Sequence, residues 1–190
     1  GGHTRSRTPP HSATLPLARA IKRIYELPLP KNPPTHLNIG MLGGANAVNT
    51  KASDAWFTVD LRSTSNEIIV NLEKKIAAII IEEAIRENMT VKTEVILTIP
   101  AAQIPGHRES PLVKMAEAVH TQMGFTGPIT VTGSNDSIAA LLASIPAIST
   151  GTAPCGNSHT LNEWCKIEPF YKGIKKVLLL EVALAQLASN

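Results

Sequence analysis

The chain of 190 residues is poorest in aromatic side chains, 4% of the total, and in cysteine, of which there are two. Two cysteines, Cys155 and Cys165, cannot build a disulfide framework, and nothing points to an oxidising compartment, so a cytoplasmic location is expected. No apolar run approaches the roughly 20 residues a bilayer span requires. The start, "GGHTRSRTPPH", lacks the apolar stretch of a signal peptide, so no membrane is expected as a partner. Basic and acidic residues are nearly balanced, 18 against 15, and there is no Lys/Arg-rich run. That leaves no electrostatic footprint for nucleic acid or an anionic membrane. HExxH, cysteine pairs at zinc-finger spacing, HxH and HxD are all missing, so no familiar zinc motif stands on its own. What the chain does have is 43% hydrophobic residues, enough for a core in one ordinary domain or two small ones.

The apolar residues are periodic. In 12–26, Leu17, Ala20, Ile21 and Ile24 recur at three and four, which predicts an amphipathic helix with Pro16 early enough to be tolerated. The connector "PLPKNPP" at 28–34 ends it. Two extended segments follow. In "HLNIGMLGG", Leu37, Ile39 and Met41 alternate; in "SDAWFTVDLRS", Ala55, Phe57, Val59 and Leu61 face one way and Trp56, Thr58, Asp60 and Arg62 the other. The linking "GGANAVNTKA" is too long for a two-residue hairpin and reads as a wider loop. Ile69, Leu72, Ile76, Ile79 and Ile80 predict a long helix over 66–88, with Glu82, Glu83, Arg86 and Glu87 as its polar end, and "TVKTEVILTI" at 90–99 predicts a strand. Helix, strand, strand, helix, strand is a ferredoxin-like βαββαβ unit without its first strand, which would end where this sequence begins.

"PAAQIPGHRES" at 100–110 interrupts the pattern. Beyond it, Ser110-Pro111 supplies an N-cap and first helical position for a helix carrying Leu112, Ala116, Val119 and Met123 on one face. A strand "PITVT" at 128–132, a helix over 136–143, a strand "IPAIST" at 145–150, a loop, and a helix over 169–188 complete the sequence. Alternating strands and helices predict a parallel, helix-covered sheet, and two strands make a poor one. The second region therefore reads as the tail of a larger α/β domain.

The candidate chemistry centres on His159 in "TGTAPCGNSHTLNEW". It follows the carboxyl end of a predicted parallel strand, where open α/β sheets place ligands, and imidazole is the commonest metal-binding side chain. A solvated loop histidine is the plainer reading, and one ligand is not a site, because zinc takes three or four. A Cys155–His159 nucleophile and base is disfavoured, since such partners usually meet only in the fold. Cys165 beside Trp164 reads as a small buried hydrophobe. Arg62 at a strand end can grip a carboxylate with two hydrogen bonds, against the simpler reading of a surface Asp60–Arg62 pair. In "GSNDS", Ser134 or Asn135 caps the next helix, and Asp136 suits its first turn.

Four elements in this order, "GGHTRSRTPPHSATLPLARAI", "GGANAVNTKASDAWFTVDLRS", "GSNDSIAALLASIPAIST" and "GTAPCGNSHTLNEW", resemble the zinc-dependent amidohydrolase/peptidase superfamily of carboxypeptidase G, aminoacylase, peptidase T and succinyl-diaminopimelate desuccinylase. The resemblance covers nearly the whole chain. It implies an α/β fold in which residues 1–105 form an α+β, ferredoxin-like lid and dimerisation domain lacking its first strand, and 106–190 form the C-terminal part of a catalytic α/β domain. It further implies cleavage of a peptide or N-acyl amino acid beside a free carboxylate, two zinc ions per active site with cobalt or manganese as substitutes, and a homodimer. His159 would be a zinc ligand, and His3 would reach the partner's active site and polarise the scissile carbonyl. Asn49 and Arg62 would bind the substrate carboxylate, and the loop 151–158, with Gly151, Thr152 and Gly156, would line the pocket. That loop departs from a common glycine run at Ala153, Pro154 and Cys155. The superfamily's other zinc ligands and its glutamate base lie in an N-terminal part that this sequence does not contain, so the chain alone is expected to be inactive and to aggregate or take a partner chain. The alternative from another class is a non-catalytic dimerisation or small-molecule-binding module.

Overall fold

The spacing of three and four near the start folds as α1, Thr14–Tyr25, which buries Pro16, Ala20 and Ile24. A computed structural model describes residues 1–126 and 132–188. The chain falls into two compact units, Gly1–Ala101 and Ala102–Asn190.

In the first unit, the two predicted extended segments form one long antiparallel hairpin, interrupted midway. β2, Thr35–Asn38, pairs with β6, Asp60–Ser63, and β3, Leu42–Gly44, pairs with β5, Ala55–Phe57. Between these ladders Thr58 N–H donates to the Met41 carbonyl, so the two arms stay together through the break. The long connection holds β4, Thr50–Lys51, which pairs antiparallel with β1, Gly2–His3. α2, Asn66–Arg86, starts at Ser65, whose hydroxyl accepts the Ile68 N–H and satisfies a donor the helix leaves free. The core lies where α1 and α2 cover one hairpin face: Ala20, Ile24, Ile76 and Ile79, flanked by Leu37, Ile39, Phe57, Val59 and Leu61. The inward set of the alternating strand is the predicted one, whereas Met41 is exposed.

The polar end of α2 is not a simple solvated face. Glu83 is only 1% exposed. Its Oε1 accepts from Arg23 at 2.7 Å and Arg86 at 2.8 Å, while Glu87 accepts from Arg19 at 2.6 Å and pairs with His11. Burial pushes the Glu83 carboxyl up, but the Arg23 hydrogen bond and the charges of Arg86, Arg23 and Arg19 outweigh it and hold the group below its usual range. Glu87 is also held low, first by its hydrogen bond with His11. Carboxyls with depressed folded-state pKa stabilise the fold above their unfolded value of 4.5, and lose that contribution as pH falls through the folded value. The urea midpoint should therefore be flat from pH 7 to 5 and drop below about pH 4.5, and Glu83→Gln should flatten that drop.

The predicted strand at 90–99 is corrected by the structure: none of its residues enters a ladder, and Ile96 is 83% exposed. In a βαββαβ unit the neighbour of the last strand is the first, and pairing needs a neighbour.

In the second unit, the Ser110 hydroxyl accepts the Val113 N–H and Pro111 opens α3, Pro111–Gln122, as its sequence requires. α4 is Ser137–Leu142, and the Asn135 side chain accepts the Ser137 N–H at 3.1 Å. α5, Ile167–Ala188, packs against α3. The expected parallel sheet is not found among the described residues. The strand expected at 128–132 lies almost wholly outside them, and 145–150 joins no ladder. The pairing present is antiparallel, β7, Cys155–Gly156, with β8, Trp164–Cys165, because the loop after 150 folds back on itself.

Candidate functional site

The candidate residues fall in both units. In the first, the β1–β4 ladder sets His3 opposite Thr50, and the Thr4 N–H donates to the Asn49 carbonyl at 2.9 Å, so His3 and Asn49 meet at one edge. Lys51 ties down the segment after β1 by donating to the carbonyls of Ser6 at 2.6 Å and Pro9 at 2.5 Å. Ser12 adds a further tie, its hydroxyl accepting the Ala52 N–H. The His3 Nδ1 accepts the Arg5 backbone N–H at 3.1 Å. In the neutral ring the proton then sits on Nε2, which makes that nitrogen a donor on an exposed imidazole. Gly44, at φ +125°, and Ala45, at φ 70°, turn the chain out of β3 towards Asn49.

Arg62 lies on β6 opposite His36, and its Nε donates to Asp60 Oδ2 at 2.9 Å, both side chains being exposed. The surface pair is therefore what the structure contains. It uses one of five guanidinium N–H groups and leaves the two Nη nitrogens for another acceptor.

In the second unit His159 is exposed, at the tip of the β7–β8 hairpin, with φ 64°. Its backbone N–H donates to Glu163 Oε2 at 3.1 Å, and Asn157 Nδ2 donates to the Asn162 carbonyl at 3.3 Å. The strand-end argument for His159 loses its footing, since no parallel strand precedes the loop among the described residues. The reading of Cys165 as a buried hydrophobe is also corrected. Cys155 and Cys165 face each other across β7–β8, are exposed, and form a disulfide, which leaves Cys155 no thiol to pair with His159. Trp164 lies over Gly156, where a Cβ would come within 2.8 Å of the indole. Closing a loop of sequence separation 10 is worth about 2–3 kcal/mol. Reduction or a Cys155→Ser, Cys165→Ser pair should lower stability by about that amount and speed amide exchange through 157–163. Equal urea midpoints with and without reductant would refute it.

The start of the same loop is held from α5. Lys176 Nζ donates to the Gly151 carbonyl at 2.5 Å, and Gly173 lets the Thr152 backbone lie against the helix, since a Cβ there would be 1.8 Å from the Thr152 oxygen. Sequence reasoning missed both. The signal was there: Gly173, Lys176 and Leu180 follow the three-four spacing of one helix face.

Among the described residues no group of three or more His, Cys, Asp or Glu side chains could hold a metal ion. His159 supplies one nitrogen, where zinc takes three or four donors, so the described residues do not by themselves fit a zinc centre. Nor is any helix among them long and apolar enough to cross a membrane.

No family model matches the sequence, and no curated protein does. Solved structures do. A tripeptidase from Staphylococcus aureus superposes with a TM-score of 0.74 at 24% identity, over 94% of this chain and 47% of its own. An amidase of the hydantoinase/carbamoylase family from Burkholderia vietnamiensis gives 0.74 at 20%, over 95% and 44%. The aminopeptidase PepT from Bacillus cereus gives 0.68 at 21%, over 94% and 47%. The chain has the fold of these enzymes. It spans less than half the length of each, and the likeness supports the mixed α/β class expected from the sequence, although the ladders described in this chain are small and antiparallel.

Proposed function

We propose that the chain is part of a hydrolase that cleaves an amide or peptide bond beside a free carboxylate, in a peptide or an N-acyl amino acid. The fold shared with peptidases and an amidase supports the reaction class. The observation that carries it to residues is the His3 edge: a ring whose Nδ1 is already occupied by the Arg5 N–H presents Nε2–H as a donor, the chemistry needed to polarise a scissile carbonyl. Asn49, joined to that edge through the β1–β4 ladder, and Arg62, through its unused Nη groups, would bind the substrate carboxylate. Residues 1–105 act as the lid and homodimerisation domain, through which His3 serves the partner's site, and 106–190 as part of the catalytic domain.

In this reading Gly151, Thr152 and Gly156 line the pocket, and His159 is one ligand of a zinc centre, with cobalt or manganese as substitutes, completed by donors other than the described residues. The metal supplies Lewis-acid chemistry when bound. What this chain contributes is orientation of the carboxylate and a hydrogen bond to the carbonyl oxygen.

The test has two arms. The 190-residue chain should show no turnover of N-acyl amino acids or dipeptides with zinc, cobalt or manganese, yet bind an N-acyl amino acid. Arg62→Ala should weaken that binding about tenfold or more, as expected for a charge-assisted hydrogen bond. Robust turnover abolished by His159→Ala would overturn the division of labour, and binding indifferent to Arg62→Ala would overturn the carboxylate assignment.

The alternative reading is a non-catalytic dimerisation or small-molecule-binding module. Such a module would dimerise regardless of metal and of Arg62→Ala. Cytoplasmic placement belongs to the first reading, and trapping thiols in cells tests it, since an intact Cys155–Cys165 bond suits an oxidising compartment.

A further inference from the structure

Lys176 is a buried charge. It is 4% exposed, and among the described residues no ion pair includes it or Lys172. An ammonium carries three N–H groups, and among the described residues Lys176 donates to the Gly151 carbonyl. Its Nζ also lies 4.7 Å from the centroid of the Phe125 ring, and burial holds its pKa below the ordinary lysine range. Lys172, one helical turn earlier and exposed, places its Nζ 5.0 Å from the same centroid and donates to the Gly124 carbonyl at 3.5 Å. The two charges are therefore closer than the Debye length of about 10 Å at 0.1 M salt, and they repel. His120, from α3, sets its ring 5.4 Å from that of Phe125, and its buried Nε2 has no hydrogen-bond partner among the described residues.

Each feature is unfavourable by itself. Among the described residues a buried charge lacks a counter-ion, a like charge stands near it, and a polar nitrogen is shut from water unsatisfied. One small anion with several acceptor oxygens would relieve all three, by accepting from the two ammonium groups and from the His120 ring in the form that carries its proton on Nε2. An apolar ligand would relieve none, and a cation would worsen two.

We propose that Lys172, Lys176 and His120, gathered around Phe125, form a binding site for a small oxyanion, a carboxylate or a phosphate group. The site is independent of the hydrolase reading, because it uses none of His3, Asn49, Arg62 or His159. It does touch the pocket loop, since Lys176 holds the carbonyl of Gly151. An oxyanion competing for that ammonium would alter how tightly the start of the loop is held.

Calorimetric titration of the full 190-residue chain with inorganic phosphate and, separately, with acetate tests this, against chloride at matched ionic strength. Saturable binding of at least one oxyanion is expected. Tighter phosphate assigns a phosphoryl site, and tighter acetate a carboxylate site. Lys172→Gln and Lys176→Met should each weaken binding about tenfold, the loss of one charge-assisted hydrogen bond. Lys172 is exposed, so its variant stays folded even if Lys176→Met does not, as circular dichroism will show. No saturable binding beyond chloride, or equal affinity in wild type and Lys172→Gln, overturns the proposal.

Discussion

Gly173→Ala is expected to cost at least about 3 kcal/mol, beyond the usual range for one added methyl group. A Cβ at 173 would lie 1.8 Å from the Thr152 carbonyl oxygen and 2.4 Å from its carbon and Cα, so it meets backbone. A flexible side chain could swing aside, but here the whole stretch at 151–152 would have to leave α5. Leaving would break the hydrogen bond from Lys176 to the Gly151 carbonyl and strand a buried ammonium. The loss should appear in urea unfolding, and amide exchange should rise first around 150–153. Gly151→Ala is the control: nothing lies within 4 Å of its Cβ position, so it should change stability by less than about 0.5 kcal/mol. Equal effects from the two variants would show that 151–152 is not docked on the helix as described.

That contrast also shows what was legible in the sequence. Helices were readable because their apolar spacing is local, and α1, α2 and α3 lie within a few residues of their expected bounds. The Ser65 and Ser110 caps act within three residues of themselves, and Ser110 was legible for the same reason. Ladders were less legible, because a strand is defined by its partner. Residues 90–99 have strand composition and enter no ladder, whereas the two residues Cys155–Gly156 pair because the loop brings Trp164–Cys165 opposite them.

Charge obscured two buried positions. Glu83 and Lys176 both fall on the buried face by spacing, Glu83 after Leu72, Ile76 and Ile79, and Lys176 after Gly173. Glu83 was read as part of a polar helix end, but the arginines of α1 cover it; Lys176, which drew no reading, is covered by a carbonyl and an aromatic face. In the candidate site, the juxtaposition of His3 and Asn49 was not visible either, since a two-residue ladder joins segments more than forty residues apart. The hydrogen bond from Arg5 to His3 joins residues two apart, yet it depends on a turn that no residue type dictates.

Ile24→Ala is expected to destabilise the first unit by about 4 kcal/mol, in the upper part of the range for removing a buried branched side chain. Ile24 is 1% exposed, on the face of α1 that meets Ile76 and Ile79 of α2 and the inner side of the hairpin. Three elements converge there, so no single one can collapse into the space without losing contact with another, and the cavity term should be nearly complete. Ile85→Ala, on a residue 69% exposed, should cost less than about 0.5 kcal/mol. The consequence reaches the candidate site, because β1 and β4 are two residues each and borrow their order from this core through Ala13 N–H to the Ala52 carbonyl. Amide exchange at Thr4 and Thr50 should therefore quicken in Ile24→Ala in step with the loss of global stability, while exchange in the second unit's α5 stays unchanged. If Thr4 and Thr50 exchange at the wild-type rate in Ile24→Ala, the His3 edge is ordered by its own local ties, those from Lys51 and Ser12, and not by the core.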